Sequence, residues 1–210
     1  MTDKGPDRTG AVARVFDQLS AVYDTPAVQQ VVYRPAQSEI VGELRRLRPP
    51  RIADVGCGTG ILASRLAAEL RPEVVFGFDA SAGMLEKARR RSQAVEWAMS
   101  RSEQLPLHDA SVDAVVSSHA FHFFDHPAAL AEFRRVLRPG GVLMVVVVNP
   151  RTRWGSELTS APLGAASFPD QASMTQLMED AAFQVLAQRR VRRGPLTLLS
   201  PDVLTVARPS

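Results

Sequence analysis

Residues 53–60 read Ala-Asp-Val-Gly-Cys-Gly-Thr-Gly, so an apolar strand end runs directly into a loop with glycine at positions 56, 58 and 60. Glycine costs conformational entropy, and its repeated use indicates a backbone with positive φ angles or a close approach by another group. Helical periodicity begins at Ile61, so the loop joins the carboxyl end of a strand to a helix. Such a junction offers backbone N–H groups and a helix N-terminus to a ligand.

The rest of the chain alternates between short apolar segments and amphipathic ones. The pattern predicts strands at 52–55, 74–78, 95–99, 112–118, 142–148, 184–191 and 203–207, and helices at 37–48, 61–70, 82–91, 127–137 and 174–182. Pro139-Gly140-Gly141 is expected to end the helix that precedes it. This alternation predicts a doubly wound α/β fold, with a mostly parallel sheet and helices on both faces.

Length and composition predict a single domain. With 210 residues and 45% apolar residues, the chain can bury one large core over residues 11–210 after a flexible tail at 1–10. Residues 11–36 are assigned to N-terminal helices, and residues 149–172 to a connector or small cap. The one cysteine, Cys57, excludes a disulfide framework. No signal peptide and no apolar run of membrane-spanning length is visible, so we expect a cytoplasmic protein without a membrane span.

The spacing of the glycines narrows the choice of ligand. A nicotinamide dinucleotide site needs G-x-G-x-x-G, but its last position is occupied here by Ile61. The phosphate-binding loop of nucleoside triphosphatases needs Gly-Lys-Ser/Thr, which the chain lacks. Asp79 ends the second strand about twenty residues beyond the loop, where a carboxylate can bind both hydroxyls of a ribose. The pattern favours an adenosine cofactor that is not a dinucleotide.

Four motifs occur in a set order: Asp54–Gly60, Gly77–Ser81 with Met84, Ser102–Pro106 and Arg135–Gly141. Together they resemble the motifs of class I S-adenosylmethionine-dependent methyltransferases, most closely the small-molecule branch that includes the quinone-ring methylases. The likeness covers roughly residues 12 to 190. It implies a Rossmann-like sheet of seven strands whose last strand is antiparallel, with S-adenosylmethionine as cofactor and S-adenosylhomocysteine as product.

The resemblance also implies which residues contact the cofactor. The loop would pass under its methionine part, Asp79 would bind the ribose, and the residues after the fourth strand would lie near the sulfonium. The full set is Tyr23, Asp54, Gly56, Gly58, Gly60, Asp79, Ala80, Met84, Ser102, Glu103, Ser118 and His119. Relatives usually carry a hydrogen-bond acceptor at the position of Arg101, and arginine cannot accept. We therefore expect a neighbouring residue or the backbone to contact the adenine amino group.

The N-terminal segment has two interpretations. Val15, Leu19 and Val22 form an apolar stripe at helical spacing, which suits a helix packed on the sheet. The resemblance implies instead a lid that folds across the cofactor and places Tyr23 at its methionine end. A closing lid would exclude water from the reaction.

The residues for the methyl acceptor are less specific. His119, His122 and His126 are clustered, and they could bind a metal, line the pocket, or supply a general base, for which His122 and His119 are the candidates. We expect no metal. A further group, Arg151, Arg153 and Trp154, consists either of ordinary loop residues or of ligands for an acidic or aromatic acceptor.

The predicted activity is transfer of a methyl group to a small-molecule acceptor by in-line displacement. Two alternatives stay open, a methyltransferase acting on RNA or protein and a non-catalytic domain that binds S-adenosylmethionine. The arginine runs fall mostly in the last turns of helices, where they complement helix dipoles and point away from the glycine loop. We therefore do not expect a nucleic-acid partner. The acceptor, the methylated atom, the use of a base and the oligomeric state are not defined by the sequence.

Overall fold

The computed structural model describes residues 29–149, 166–193 and 200–210. A single π-helical turn at Gln29–Tyr33 leads into the first helix. The helices are α1 (Arg34–Leu47), α2 (Ile61–Leu70), α3 (Ala82–Arg91), α4 (His126–Val136) and α5 (Gln171–Asp180), with a short 3-10 turn at Phe121–Phe123. The strands are β1 (Arg51–Val55), β2 (Val74–Asp79), β3 (Glu96–Met99), β4 (Val112–Ser118), β5 (Leu137–Val148), β6 (Phe183–Arg190) and β7 (Asp202–Pro209).

All seven strands form one sheet in the order β3-β2-β1-β4-β5-β7-β6. Neighbouring strands from β3 to β5 pair in parallel, whereas β7 is antiparallel to both β5 and β6. The predicted mostly parallel sheet with an antiparallel last strand is therefore confirmed. The strand order reverses between β1 and β4, and in open α/β sheets such a switch point places a crevice at the carboxyl ends of the strands.

Alternate residues of the central strands are buried on opposite faces of the sheet. In β5, Met144 and Val146 belong to one apolar cluster, and Leu143 and Val145 belong to the other. The first cluster includes side chains of α1 and α2, and the second includes side chains of α4 and α5. Burial on both faces explains why β5 reads as a continuous apolar run rather than an alternating one.

The element boundaries differ from the sequence predictions at two informative places. Helix α1 begins at Arg34, three residues before the predicted start at residue 37, because it continues directly from the π-helical turn. Helix α4 ends at Val136, one residue before the predicted end, but β5 begins at Leu137 and not at residue 142, so it includes Pro139-Gly140-Gly141. An irregularity in the β4–β5 register lets this segment continue as extended chain.

Several arginines in the last turns of helices are paired with acids. Arg45 lies 3.0 Å from Glu69, and Arg135 lies 2.7 Å from Glu132. Arg45 belongs to the last turn of α1 and Arg135 to that of α4, at the edge of the sheet opposite the switch-point crevice. Within the residues that the structure describes, no helix has both the length and the apolar character of a transmembrane span.

We expect the replacement of two leucines by alanine to have very different effects on the free energy of unfolding. Leu130 on α4 is fully buried, whereas Leu186 on β6 is 47% exposed. Leu130→Ala is expected to lower the free energy of unfolding by about 2–5 kcal/mol, because it leaves a cavity under α4. Leu186→Ala is the matched control and should change it by less than about 1 kcal/mol. Urea denaturation measures both, and equal losses would contradict this description of the core.

Candidate active site

A cleft opens where β1, β2 and β4 end, and it contains about 1160 Å³ of space outside protein atoms, part of it open to solvent. The structure brings most of the predicted cofactor residues to its lining. Those that line it are Asp54, Gly56, Gly58, Asp79, Ala80, Met84, Ser102, Glu103, Ser118 and His119. Gly60 lies outside the lining, and Tyr23 lies outside the described residues, as do Arg151, Arg153 and Trp154. The roles of all these residues in binding stay predictions.

The three loop glycines meet different constraints. All have positive φ, at 71° for Gly56, 54° for Gly58 and 78° for Gly60. A Cβ on Gly56 would fall 2.3 Å from Ala120 Cβ, and one on Gly60 would fall 2.5 Å from the Trp97 ring. A Cβ on Gly58 would meet no atom of the described residues within 4 Å. Two glycines therefore permit close packing inside the protein, and the middle one leaves open backbone at the cleft.

The expectation that the loop offers its N–H groups to a ligand is wrong for four of them. The N–H groups of Gly56 and Cys57 both donate to Phe78 O, at 2.8 and 3.0 Å. The Gly60 N–H donates to Cys57 O, and the Gly58 N–H donates to Asp79 Oδ2. Because these donors are already used, the loop is not a cradle for phosphate. This explains in physical terms why its spacing differs from that of the anion-binding loops.

Asp79 joins the glycine loop to the start of α3. Its Oδ2 accepts from the Gly58 N–H at 2.8 Å, and its Oδ1 accepts from the Ser81 N–H at 2.9 Å. The Ser81 hydroxyl in turn caps α3 by accepting from the Met84 N–H at 3.0 Å. A carboxylate oxygen can accept more than one hydrogen bond. The carboxylate is thus held in a defined orientation at the cleft wall.

Asp54 lies deeper, at the base of the cleft. Its side chain is 1% exposed, and burial raises its pKa to about 7, with a further upward contribution from the Asp79 charge. The Ala63 N–H donates to it and opposes this shift. Its Oδ2 has no hydrogen-bond donor among the described residues. Buried acceptors in native proteins almost always have a donor, so this oxygen is suited to a donor on a ligand.

The structure provides an acceptor next to Arg101. Its guanidinium Nε donates to Glu103 Oε2 at 3.2 Å, and the Ser102 hydroxyl donates to Glu103 Oε1 at 2.9 Å. The Asp125 N–H also donates to Glu103 Oε1, at 3.2 Å. Burial acts to raise the pKa of Glu103, but these hydrogen bonds and one from its own backbone hold it below its ordinary value. Glu103 is therefore ionised and supplies the acceptor oxygens that Arg101 lacks.

The two histidines predicted as candidate bases occupy different environments. His119 lines the cleft, whereas His122 is not among the described lining residues. The His122 ring stacks on Phe168 at a centroid distance of 4.5 Å, and burial lowers its pKa to about 3, helped by His119 and His126. Within the described ranges no three His, Cys, Asp or Glu side chains come together as a metal site. A catalytic role for either histidine stays a prediction.

Several cleft residues were not found from the sequence. Tyr33 lines the cleft and meets the His119 ring edge-on at 5.0 Å, and Gln29 lies on the same side. Tyr33 is one of only two tyrosines, the other being Tyr23, which was the available signal. Asp202 lies close to His119, but nothing in its local sequence marked it.

Together, the fold and the cleft define an α/β domain with an acidic, nucleoside-sized site at a glycine loop. Residues 53–145 match the family model described as a methyltransferase domain. A crystal structure of an S-adenosylmethionine-dependent methyltransferase from Thermotoga maritima, a possible histamine N-methyltransferase, superposes with a TM-score of 0.73 at 25% identity, covering 95% of this chain and 100% of that one.

The chain is also similar in sequence to two curated methyltransferases. The chain is 37% identical over 153 residues to a malonyl-[acyl-carrier protein] O-methyltransferase of Hahella chejuensis, covering 71% of this chain and 54% of the relative. It is 30% identical over 155 residues to the ubiquinone/menaquinone biosynthesis C-methyltransferase UbiE of Campylobacter jejuni, covering 69% and 66%. The chain spans about half the length of the malonyl-[acyl-carrier protein] methyltransferases that it matches. It belongs to the class I S-adenosylmethionine-dependent methyltransferases, and the resemblance stated from its motifs is confirmed.

The loop geometry predicts different costs for two glycine substitutions. Gly58→Ala should lower the free energy of unfolding by about 1–2 kcal/mol, because the residue must keep a left-handed conformation but has room for its methyl group. Gly60→Ala should cost more, because its methyl group would also overlap Trp97 and Ala88. Urea denaturation of both variants checks the order, and an equal or reversed order would contradict it.

Because the pKa of the buried Asp54 carboxyl is raised, we expect the stability of the ligand-free protein to depend on pH. The unfolded carboxyl ionises near pH 4, while the folded one holds its proton until about pH 7. The unfolded state therefore binds fewer protons in this window, so this group makes the folded state less stable as pH rises from 4 to 7. Asp54→Asn removes the effect and keeps the side-chain shape.

The free energies of unfolding of the wild type and Asp54→Asn should be similar at pH 4. The variant should be more stable above pH 7, by a few kcal/mol at about 1.4 kcal/mol for each pKa unit. Taking the difference between the two proteins removes the contributions of His122 and other titrating groups. A difference that does not change with pH would show that Asp54 is ionised in the fold.

Proposed function

We propose that this protein transfers the methyl group of S-adenosylmethionine to a small-molecule acceptor by in-line displacement. The observation that carries the proposal is the placement of Asp79, whose carboxylate is fixed between the glycine loop and α3 at the wall of the cleft. The relatives' names support the reaction, since both describe methyltransferases. The proposal includes the predicted cofactor contacts, with Tyr23 closing the site from the N-terminal segment.

The charges and shape of the cleft suit this cofactor. S-adenosylmethionine carries a sulfonium and an ammonium group, and when bound it supplies an activated methyl group with its own leaving group. Asp54 Oδ2 is a buried acceptor without a donor in the described part of the chain, which suits the ammonium. Asp79 would accept from both ribose hydroxyls, and Glu103 would accept from the adenine amino group. The open side of Gly58 would let the methionine part lie against the backbone.

The work of the protein residues in such a reaction is mainly to position and to exclude water. A displacement needs the acceptor atom in line with the methyl group and about 3–3.5 Å from it. Phe123 and Phe124 form part of the cleft wall together with Ala120, and they follow directly from the end of β4. These rings would shield the sulfonium from water. Tyr33, at the end of the π-helical turn before α1, would do the same from its part of the cleft wall.

The acceptor we favour is a compact aromatic, quinone-like or carboxylated metabolite. Arg151, Arg153 and Trp154 are the proposed contacts with it, and they lie outside the described residues. We do not expect a nucleic-acid substrate. The described arginines at the ends of α1 and α4 are largely paired with acids, as Arg45 is with Glu69 and Arg135 with Glu132. They therefore leave little unpaired positive charge there for a phosphate backbone.

Calorimetry with S-adenosylmethionine tests the proposal through Asp79→Ala. Removal of a carboxylate that accepts two hydroxyl hydrogen bonds should weaken binding about 100-fold or more. The control is Asp109→Ala, because Asp109 is 80% exposed and pairs with Arg135 away from the cleft. The control should bind S-adenosylmethionine as the wild type does.

NAD is titrated into the same wild-type sample. Binding of NAD without binding of S-adenosylmethionine would refute the proposed cofactor. Retention of wild-type affinity by Asp79→Ala would refute the proposed ribose contact. Binding of S-adenosylmethionine with no methyl transfer to any small molecule would favour the non-catalytic alternative.

A further inference from the structure

A cluster of polar side chains connects the cleft to the start of β7. The Ser118 hydroxyl lies 3.0 Å from His119 Nδ1, and His119 Nε2 lies 3.3 Å from Asp202 Oδ1. The imidazole is 6% exposed and the Asp202 carboxylate 2% exposed. Of these three residues, Ser118 and His119 line the cleft and Asp202 does not. The three groups therefore form a row from the buried sheet to the ligand site.

Arg193 already neutralises the buried carboxylate of this row. Its guanidinium binds Asp202 Oδ2, donates to the Ser200 hydroxyl at 3.1 Å, and donates to Val32 O at 2.9 Å. Burial acts to raise the pKa of Asp202, but its neighbours, among them the permanently charged Arg193 guanidinium, hold it below its ordinary value. Because Asp202 has a permanent cation as its partner, the buried imidazole need not be charged to compensate it.

The position of Asp202 selects one form of the neutral imidazole. A carboxylate oxygen beside Nε2 favours the proton on that nitrogen, although the present angle is not that of a formed hydrogen bond. Nδ1 is then an acceptor, so the Ser118 hydroxyl must donate to it. The Ser118 oxygen keeps its lone pairs for a donor in the cleft. The donor hydrogens of the row therefore all point the same way, from the cleft towards the Asp202 carboxylate.

The backbone at His119 is unusual in a way that supports a functional role. Its φ is +59°, in the left-handed region where non-glycine residues are uncommon. Its N–H donates to Val146 O at 3.0 Å, so the sheet holds the strained conformation in place. Residues kept in such conformations cluster at functional sites. With this backbone conformation the imidazole lies between Ser118 and Asp202.

On the basis of the proposed function, we propose that the row Ser118–His119–Asp202 makes the Ser118 oxygen a hydrogen-bond acceptor in the cleft. The methyl acceptor then presents a protic oxygen there, a phenol or other hydroxyl, and not a carboxylate. Ser118 is the residue that contacts the acceptor, and His119 and Asp202 are positioning residues that act through it.

In the proposed reaction, protons move from the methyl acceptor through Ser118 to His119. As the acceptor oxygen bonds to the methyl carbon, the S–C bond breaks and its electron pair stays on sulfur. The acceptor proton passes to the Ser118 oxygen while the Ser118 proton passes to His119 Nδ1. Asp202 stabilises the resulting imidazolium, which then loses its proton to solvent. A carboxylate acceptor has no proton to give and would face the lone pairs of Ser118.

The first test reads the protonation of His119 directly. Long-range ¹H–¹⁵N spectra of the wild type at pH 7 with S-adenosylhomocysteine, assigned with His119→Asn, should show a neutral ring with its proton on Nε2. A ring protonated on Nδ1, or on both nitrogens, would overturn the proposal, because Ser118 would then donate into the cleft. The tautomer is read from the wild-type spectrum, and His119→Asn serves only to assign its signals.

Asp202→Asn tests the positioning role. It should populate the second tautomer and lower kcat for a phenol about 10- to 100-fold, with the KM for S-adenosylmethionine unchanged. The matched control is Asp113→Asn, because Asp113 pairs with Arg138 at 3.2 Å at the amino end of β4. The control should leave both the tautomer and kcat unchanged. An unaltered tautomer in Asp202→Asn would overturn the role of Asp202.

Acceptor class is tested with matched pairs. The protein is given S-adenosylmethionine with equal amounts of 2-naphthol and 2-naphthoate, or of 4-methylphenol and 4-methylbenzoate, and the products are measured by mass spectrometry. Methylated phenol should exceed methyl ester at least tenfold. Equal or greater ester formation, or no phenol product, would overturn the substrate class. Failure of S-adenosylmethionine to bind by calorimetry would instead refute the proposed function, and the tautomer spectrum distinguishes the two failures.

Discussion

The cleft depends on the hydrogen bond between the Gly58 N–H and the Asp79 carboxylate. This bond joins the loop after β1 to the end of β2, and the Ser81 N–H joins the same carboxylate to α3. With the other loop N–H groups bonded to Phe78 and Cys57, the glycines present a shaped surface without free donors. A site built in this way suits a cationic nucleoside better than a phosphate, because its described lining has the carboxyl groups of Asp54, Asp79 and Glu103 against one arginine, Arg101.

The sequence predicted the fold well because the relevant signals are local. Apolar periodicity located all seven strands, and two of the helices, α2 and α3, were placed with their observed bounds. The errors arose where distant partners decide the conformation. Pro139–Gly141 has the composition of a turn, yet pairing of the neighbouring Leu137 with Val112 on β4 helps to hold the segment in a strand. No local pattern reports that pairing.

The site was predictable only in part, for a related reason. Asp54, Asp79 and the loop glycines belong to contiguous motifs, and the structure brings them to one cleft, apart from Gly60. Asp202 reaches His119 through the strand order of the sheet, and Tyr33 reaches it from the π-helical turn before α1. The state of the loop N–H groups was also hidden, because it depends on the position of the Phe78 carbonyl. The sequence motifs thus predicted the cleft residues around the glycine loop more completely than the residues around His119, next to β7.

The strand order has a consequence for how the molecule is assembled. β7 comes last of the strands in the chain, yet it lies between β5 and β6. Until it enters, β5 has an open edge, β6 has no neighbour in the sheet, and His119 lacks its carboxylate. Strands β1 to β5 all precede β6 and β7 in the sequence, so the parallel part of the sheet can pair before β7 joins it. The row Ser118–His119–Asp202 is therefore completed by a long-range step of folding, whereas the glycine loop and Asp79 belong to the part of the sheet that precedes β7 in the sequence.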